Sequence, residues 1–122
     1  TDVQTDGSIS VWNGVTYLYA TPAGTVIVGT WQHLAFVWDT GQVTAYVDGV
    51  QKSTVTARFD FGSGHGNFGI AAKFIGLHGD GIDGKIDDIA IFDVALTHAE
   101  VAAVARGEEF VGPPQGMLFF VR

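Results

Sequence analysis

A chain of 122 residues is one domain's worth of sequence, and a hydrophobic fraction of 47% against 16% charged residues excludes a disordered chain. Its 13 acidic and 6 basic residues give a formal charge of −7, which repels nucleic acid and anionic lipid but tolerates a neutral sugar or a divalent cation. Cysteine is absent, which excludes disulfides and thiolate metal sites, and no apolar run nears the roughly 20 residues of a membrane-inserted helix.

The chain starts at Thr1, not Met, as expected of a processed chain or a piece cut from a longer one. Glycine-rich punctuation among Val, Ile, Thr and aromatic residues predicts many short strands joined by tight turns. Residues 8–20 read as two strands around Asn13-Gly14, a two-residue hairpin signal. A turn at 22–24 and a brief strand at 26–28 follow. The next strand, 31–39, alternates Trp31, His33, Ala35 and Val37 with Gln32, Leu34, Phe36 and Trp38. Both faces are largely apolar, which predicts a position in the middle of a covered sheet.

Thr40-Gly41 turns the chain into a strand at 43–48, and Asp48-Gly49 turns it again into 51–57, an antiparallel meander. A glycine-rich loop at 60–66, a strand at 67–75, a polar loop at 76–84 and a strand at 85–92 are expected next. Thr97 as N-cap with Glu100 three residues on is a capping box, with Leu96 and Val101 at the staple positions. The helix over 97–106 then stops at Gly107, and its narrow apolar stripe suits a lid over a sheet edge or sandwich end. Residues 116–121 could supply a final strand. No repeat or linker interrupts 1–122, which is expected to be a single domain.

At two places the residues resemble a known family. The run TWQHLAFVWDTGQVTAYVDGVQ is similar to the Trp-x-His-x-Ala strand and Tyr-x-Asp-Gly hairpin of laminin-G-like, concanavalin-A-like jelly rolls. The run GIDGKIDDIAIFDVALTHAEVAAV resembles the Gly-x-Ile-Asp-Asp strand and capped helix of the same family. Together they cover about residues 30–106, the C-terminal part of such a domain. The resemblance implies an all-β, antiparallel jelly-roll sandwich with one short helix, secreted or held at a cell surface. Relatives carry more strands ahead of the Trp-x-His segment than 1–28 can supply. Either the N-terminal portion is abbreviated, or a partner chain or the strand at 116–121 fills the gap. An open sandwich exposes apolar sheet and unpaired edges, and a homodimer is expected on that ground.

Some glycoside hydrolases share this fold and set two carboxyls about 5 Å apart on one strand face. In 85–92 the neighbours Asp87 and Asp88 would point to opposite sides, so a hydrolase is the last of three readings. His33, His65, His78 and His98 lack metal-ligand spacing, and His33, matching the family's strand histidine, reads as a hydrogen-bonded packing residue. Calcium is the expected cofactor, held by Asp80 and Asp83 in the glycine-rich loop with Asp87, a carboxylate that would point inward and need a partner. The alternative is plain Asp-Gly turn chemistry. Carbohydrate is the expected ligand, with Trp12, Tyr17, Tyr19 and Trp38 as stacking aromatics and Asn13, His78 and Asp80 as polar rim. Against that, Trp31 is expected in the core, Tyr46 is the family's hairpin tyrosine, and Trp38 can simply continue the Leu34/Phe36 face. The first function is thus a non-catalytic binding module for carbohydrate or another extracellular ligand. The second is an interaction protein assembling through sheet edges or an apolar face.

Overall fold

The computed structural model describes residues 2–12, 17–56 and 84–109, with Asp2, Trp12 and Tyr19 described for their backbones alone. The expected segments 60–66, 67–75, 76–83 and 116–121 lie outside these residues. The chain forms two compact units, one of Thr1–Asp60 with Phe92–Gly116, the other of Phe61–Ile91 with Met117–Arg122.

The first unit holds two antiparallel three-stranded sheets. One joins β1 (Asp2–Val3), β2 (Ile9–Trp12) and β3 (Tyr17–Tyr19) in that order. The hairpin expected over 8–20 is present, with Val11 opposite Leu18 and Trp12 opposite Tyr17. Its Asn13-Gly14 turn lies outside the described residues. The pair continues past the strand ends, where Thr21 Oγ1 accepts the Ile9 amide at 2.7 Å. Buried Ser8 and Ser10 are likewise paired, Ser8 Oγ donating to Asp6 Oδ1 at 2.7 Å and Ser10 Oγ accepting from Gln4 Nε2 at 2.7 Å. Burial of these hydroxyls is therefore not left uncompensated.

The second sheet runs β4 (Leu34–Asp39), β5 (Gln42–Val47) and β6 (Val50–Thr56). Both turns contain two residues at positive φ, Thr40 at 43° with Gly41 at 81°, and Asp48 at 51° with Gly49 at 74°. This handedness matches the twist of the flanking strands, so each turn seats the next strand directly beside the last. Lys52 is the extra residue of a bulge where Ala45 pairs with Ser53 but Tyr46 with Gln51. Val11, Ala20, Val43 and Ala45 form the buried core, joined by Leu18, Phe36 and Val55 from the strands beside them. The two sheets therefore meet face to face, an all-β sandwich as the sequence implies, and Ser53 Oγ donates across to the Ala20 carbonyl.

The helix α1 (His98–Ala105) has the expected capping box, with Glu100 N donating to Thr97 Oγ1 and Thr97 N donating to Glu100 Oε2. The two donors on Thr97, its amide foremost, hold the Glu100 carboxyl below the usual carboxylate range. At the other end, Glu108 N bonds Ala103 O and Gly107 N bonds Val104 O around a left-handed Gly107 at φ 79°. Both bonds of a Schellman stop are present. The helix caps the β5–β6 hairpin: Val101 is buried, the His98 ring lies 5.6 Å from Tyr46, and Gly49 faces Ala102 and Ala105.

Four expectations are corrected. No strand forms at 26–28, because those residues enter a turn through Gly29 at φ 79°. The strand expected from 31 begins at Leu34, and Trp31, expected in the core, is 66% exposed. Among the described strands this one lies at one end of the β4-β5-β6 order, with β5 between its neighbours. Its two-sided apolarity reflects partial burial on both faces. The stretch 85–92 is not a strand: Ala90 makes an isolated bridge, and Asp88 at φ 51° breaks the extended path.

A Cβ at Gly49 would lie 3.0 Å from Ala102 Cα and 3.1 Å from Ala105 Cβ, whereas one at Gly24 (φ 72°) would meet nothing. Gly24→Ala should therefore cost about 1–2 kcal/mol of left-handed strain. Gly49→Ala should cost measurably more, because it also pushes the helix off the turn. Urea denaturation of the two variants checks this, and equal losses would contradict the packing.

Candidate functional site

Four aromatic positions carry the expected ligand site, and strand register decides how they stand to one another. Val11 and Leu18 pack on the core, so the alternate positions 12, 17 and 19 fall on the other face of the first sheet. Tyr17 is exposed there at 38%. Trp38, by contrast, pairs with Val43 and shares the core-side register of the second sheet with Phe36, whose ring lies 6.0 Å away. At 39% exposure it reaches the margin of that face. It continues the Leu34/Phe36 face, and the register does not join it to positions 12, 17 and 19 in one surface. Asn13, His78 and Asp80 lie outside the described residues.

The expected calcium ligands divide in the same way. Asp80 and Asp83 lie outside the described residues, whereas Asp87 is described and exposed. Its Oδ1 accepts the Asp88 amide at 2.9 Å, a local turn bond. The inward-pointing strand carboxylate in search of a partner is thereby corrected, since neither the strand nor the burial is present. Asp87 alone offers a fraction of the six to eight oxygens that calcium takes. Among the described residues no group of three or more His, Asp or Glu side chains is placed to hold a metal ion. The opposite-face argument about Asp87 and Asp88 also lapses with the strand that it presupposed.

His33 is held through its backbone. Its amide donates to Asp48 Oδ1 at 2.9 Å, and its carbonyl accepts the Asp48 amide at 2.8 Å. These two bonds clamp the entry to β4 onto the β5–β6 turn. The ring is half-buried, and Nδ1 is buried with no hydrogen-bond partner among the described residues. The hydrogen bonds expected of this histidine are thus made by its main chain. Burial pushes the imidazole below its ordinary value of 6.5, with the Asp48 carboxylate opposing the shift.

Sequence reasoning missed Trp31 and the loop before it. The Trp-x-His match placed Trp31 with the strand that follows, and no local signal marks where that strand begins.

A depressed imidazole pKa means that the folded state binds fewer protons than the unfolded chain near pH 6.5. The contribution of His33 is therefore complete above about pH 6.5 and is lost as pH falls toward the lower folded value. Urea midpoints measured from pH 8 to 5 should decline less steeply in His33→Gln than in the wild type. Identical slopes, or an NMR titration midpoint of His33 above 6.5, would contradict this.

Comparison with known proteins bears on the fold. No curated protein matches the chain. A similar solved structure is the S-layer domain-containing protein (residues 221–444) from Clostridium thermocellum ATCC 27405, at 20% identity and a TM-score of 0.49. The match covers 84% of this chain and 53% of that one, so the chain spans about half the length of that structure. No helix among the described residues is long and apolar enough to cross a membrane. A family model matches residues 2–102, reaching nearly thirty residues ahead of the two motif runs. The chain belongs to the concanavalin A-like lectin/glucanases superfamily, as a laminin-G-like member.

Proposed function

We propose that the chain is a non-catalytic module, a single laminin-G-like domain that recognises carbohydrate or another ligand outside the cell or at its surface. Membership of a superfamily described by its lectins and glucanases is the observation that carries this reading, and it fits a binding module. Strand positions 12, 17 and 19 present three aromatic residues on one register, and Tyr17 is open to solvent. An aromatic ring offers the C–H face of a pyranose dispersion contact, and polar groups at the rim select among hydroxyls. In this reading the residues at 12, 17 and 19 supply the rings, and Trp38, on the core-side register of the second sheet, does not join them. Calcium is proposed as an accessory that orders the 76–84 loop through Asp80, Asp83 and Asp87.

A glycan array run with and without calcium, on the wild type and on Tyr17→Ala, tests both parts. Binding should be present, fall at least fivefold in Tyr17→Ala, and weaken when calcium is chelated. Absence of binding to any glycan would remove the carbohydrate reading. A melting temperature indifferent to both calcium and chelator would remove the cofactor.

A second reading is favoured by one observation. Leu34 and Trp38, on the core-side face of β4, the outer strand among those described, remain 39% exposed each. Apolar side chains at an edge invite a second copy to continue the sheet or cover the face. Sedimentation equilibrium should then give a dimer mass that falls to monomer in Leu34→Lys. A strict monomer at high concentration would end that proposal.

A further inference from the structure

We propose that the loop 25–32 is a preformed contact surface for a neutral carbohydrate, with Trp31 as the ring that stacks on the sugar. This deepens the carbohydrate reading and rests on it, but it places the contact on a residue that the sequence assigned to the core.

The loop is ordered by its own hydrogen bonds. Gln32 Oε1 accepts the Ile27 amide at 2.7 Å, and Gln32 Nε2 donates to the Thr25 carbonyl at 3.1 Å. One side chain thereby ties both limbs together. The Thr30 amide reaches the Ile27 carbonyl at 3.3 Å and closes a turn through Val28 and Gly29, the latter at φ 79°. The base is fastened to the neighbouring turn, because Val26 N donates to Gly7 O at 2.8 Å. A Cβ at Gly7 would sit 2.8 Å from the Val26 carbonyl oxygen, so this close approach requires glycine.

What the ordered loop displays is apolar. Val28 is 97% exposed, Ile27 57% and Trp31 66%. A pinned backbone that holds a tryptophan and two aliphatic side chains in water gains nothing for folding from them. It lowers the ordering cost of whatever binds there.

Charge narrows the occupant. Residues 7–38 contain no Asp, Glu, Lys or Arg, although the chain has 13 acidic and 6 basic residues elsewhere. A phosphorylated, sulfated or uronic ligand would find no cation on this segment. A neutral pyranose fits its chemistry: a C–H face for the indole, and hydroxyls for exposed Thr30 and the free edges of the turn. A second copy is disfavoured by size. Even an aromatic side chain buries only about 150–250 Å². Three side chains thus fall short of the roughly 800 Å² per partner of a stable protein interface.

The test uses the full chain as wild type, Trp31→Ala and Trp31→Phe. Cellohexaose, xylohexaose, laminarihexaose and maltohexaose are titrated by calorimetry, with urea midpoints measured in parallel. The expected result is binding of at least one hexaose that weakens tenfold or more in Trp31→Ala. Trp31→Phe should be intermediate and the urea midpoints unchanged. Binding that is equal in wild type and Trp31→Ala would overturn the loop assignment while leaving the carbohydrate reading intact. No binding of any hexaose by the wild type would overturn both. A lowered urea midpoint in Trp31→Ala would return the ring to the core and overturn the proposal. So would adsorption to phosphatidylcholine vesicles, or a concentration-dependent mass, that depends on Trp31 in place of hexaose binding.

Discussion

The Asp48-Gly49 turn is the point on which the first unit depends. Both residues adopt positive φ, which reverses the chain within two residues and sets β6 beside β5 in a single register. The same two residues then do separate work. Asp48 clamps His33 and so fixes where β4 begins, while Gly49 leaves room for the helix to lie against the turn. Aspartate tolerates the left-handed region, and glycine occupies it without strain, so each stands where its chemistry is required. A larger residue at 49 would separate helix from hairpin, and a residue at 48 without a side-chain acceptor would release the start of β4.

From that turn the core follows. The β4-β5-β6 sheet presents Val43 and Ala45 to Val11 and Ala20, small side chains that let the sheets approach closely. The serine and threonine hydroxyls buried along β2 and its flanks are each tied to a neighbour. Among the described residues, buried side-chain polar groups are thus satisfied, with the His33 ring as the exception. Function in this family is a matter of what the rims and loops carry, because one sandwich hosts many sites. Here residues 7–38 carry no charged side chain, whereas all six basic and most acidic residues follow Asp39.

Much of the fold was legible because it is local. The Thr40-Gly41 and Asp48-Gly49 turns, the capping box and the glycine stop are decided by residues within four positions of one another, and each was found where the sequence placed it. The shortness of the two turns also carried the antiparallel meander of β4, β5 and β6. The candidate site was less legible. Which aromatic faces the core depends on pairing across strands, and Tyr17 and Trp38 proved to occupy different registers, one outward and one core-side. The two-sided apolarity of 31–39 suggested a central strand. Among the described strands it pairs with β5 alone, and which neighbours a strand pairs with is not written in its own alternation. The strand expected at 85–92 was lost to a single left-handed residue, Asp88, an outcome that apolar alternation does not encode.

By itself, the sequence determined the all-β class, the meander with its two turns and the capped helix, since each rests on short-range stereochemistry and side-chain capping. The tertiary structure alone decided the exposure of Trp31, the inaccessibility of the His33 Nδ1 and the docking of the helix on Gly49. These depend on distant segments arriving at one place, and no window of neighbouring residues contains that information.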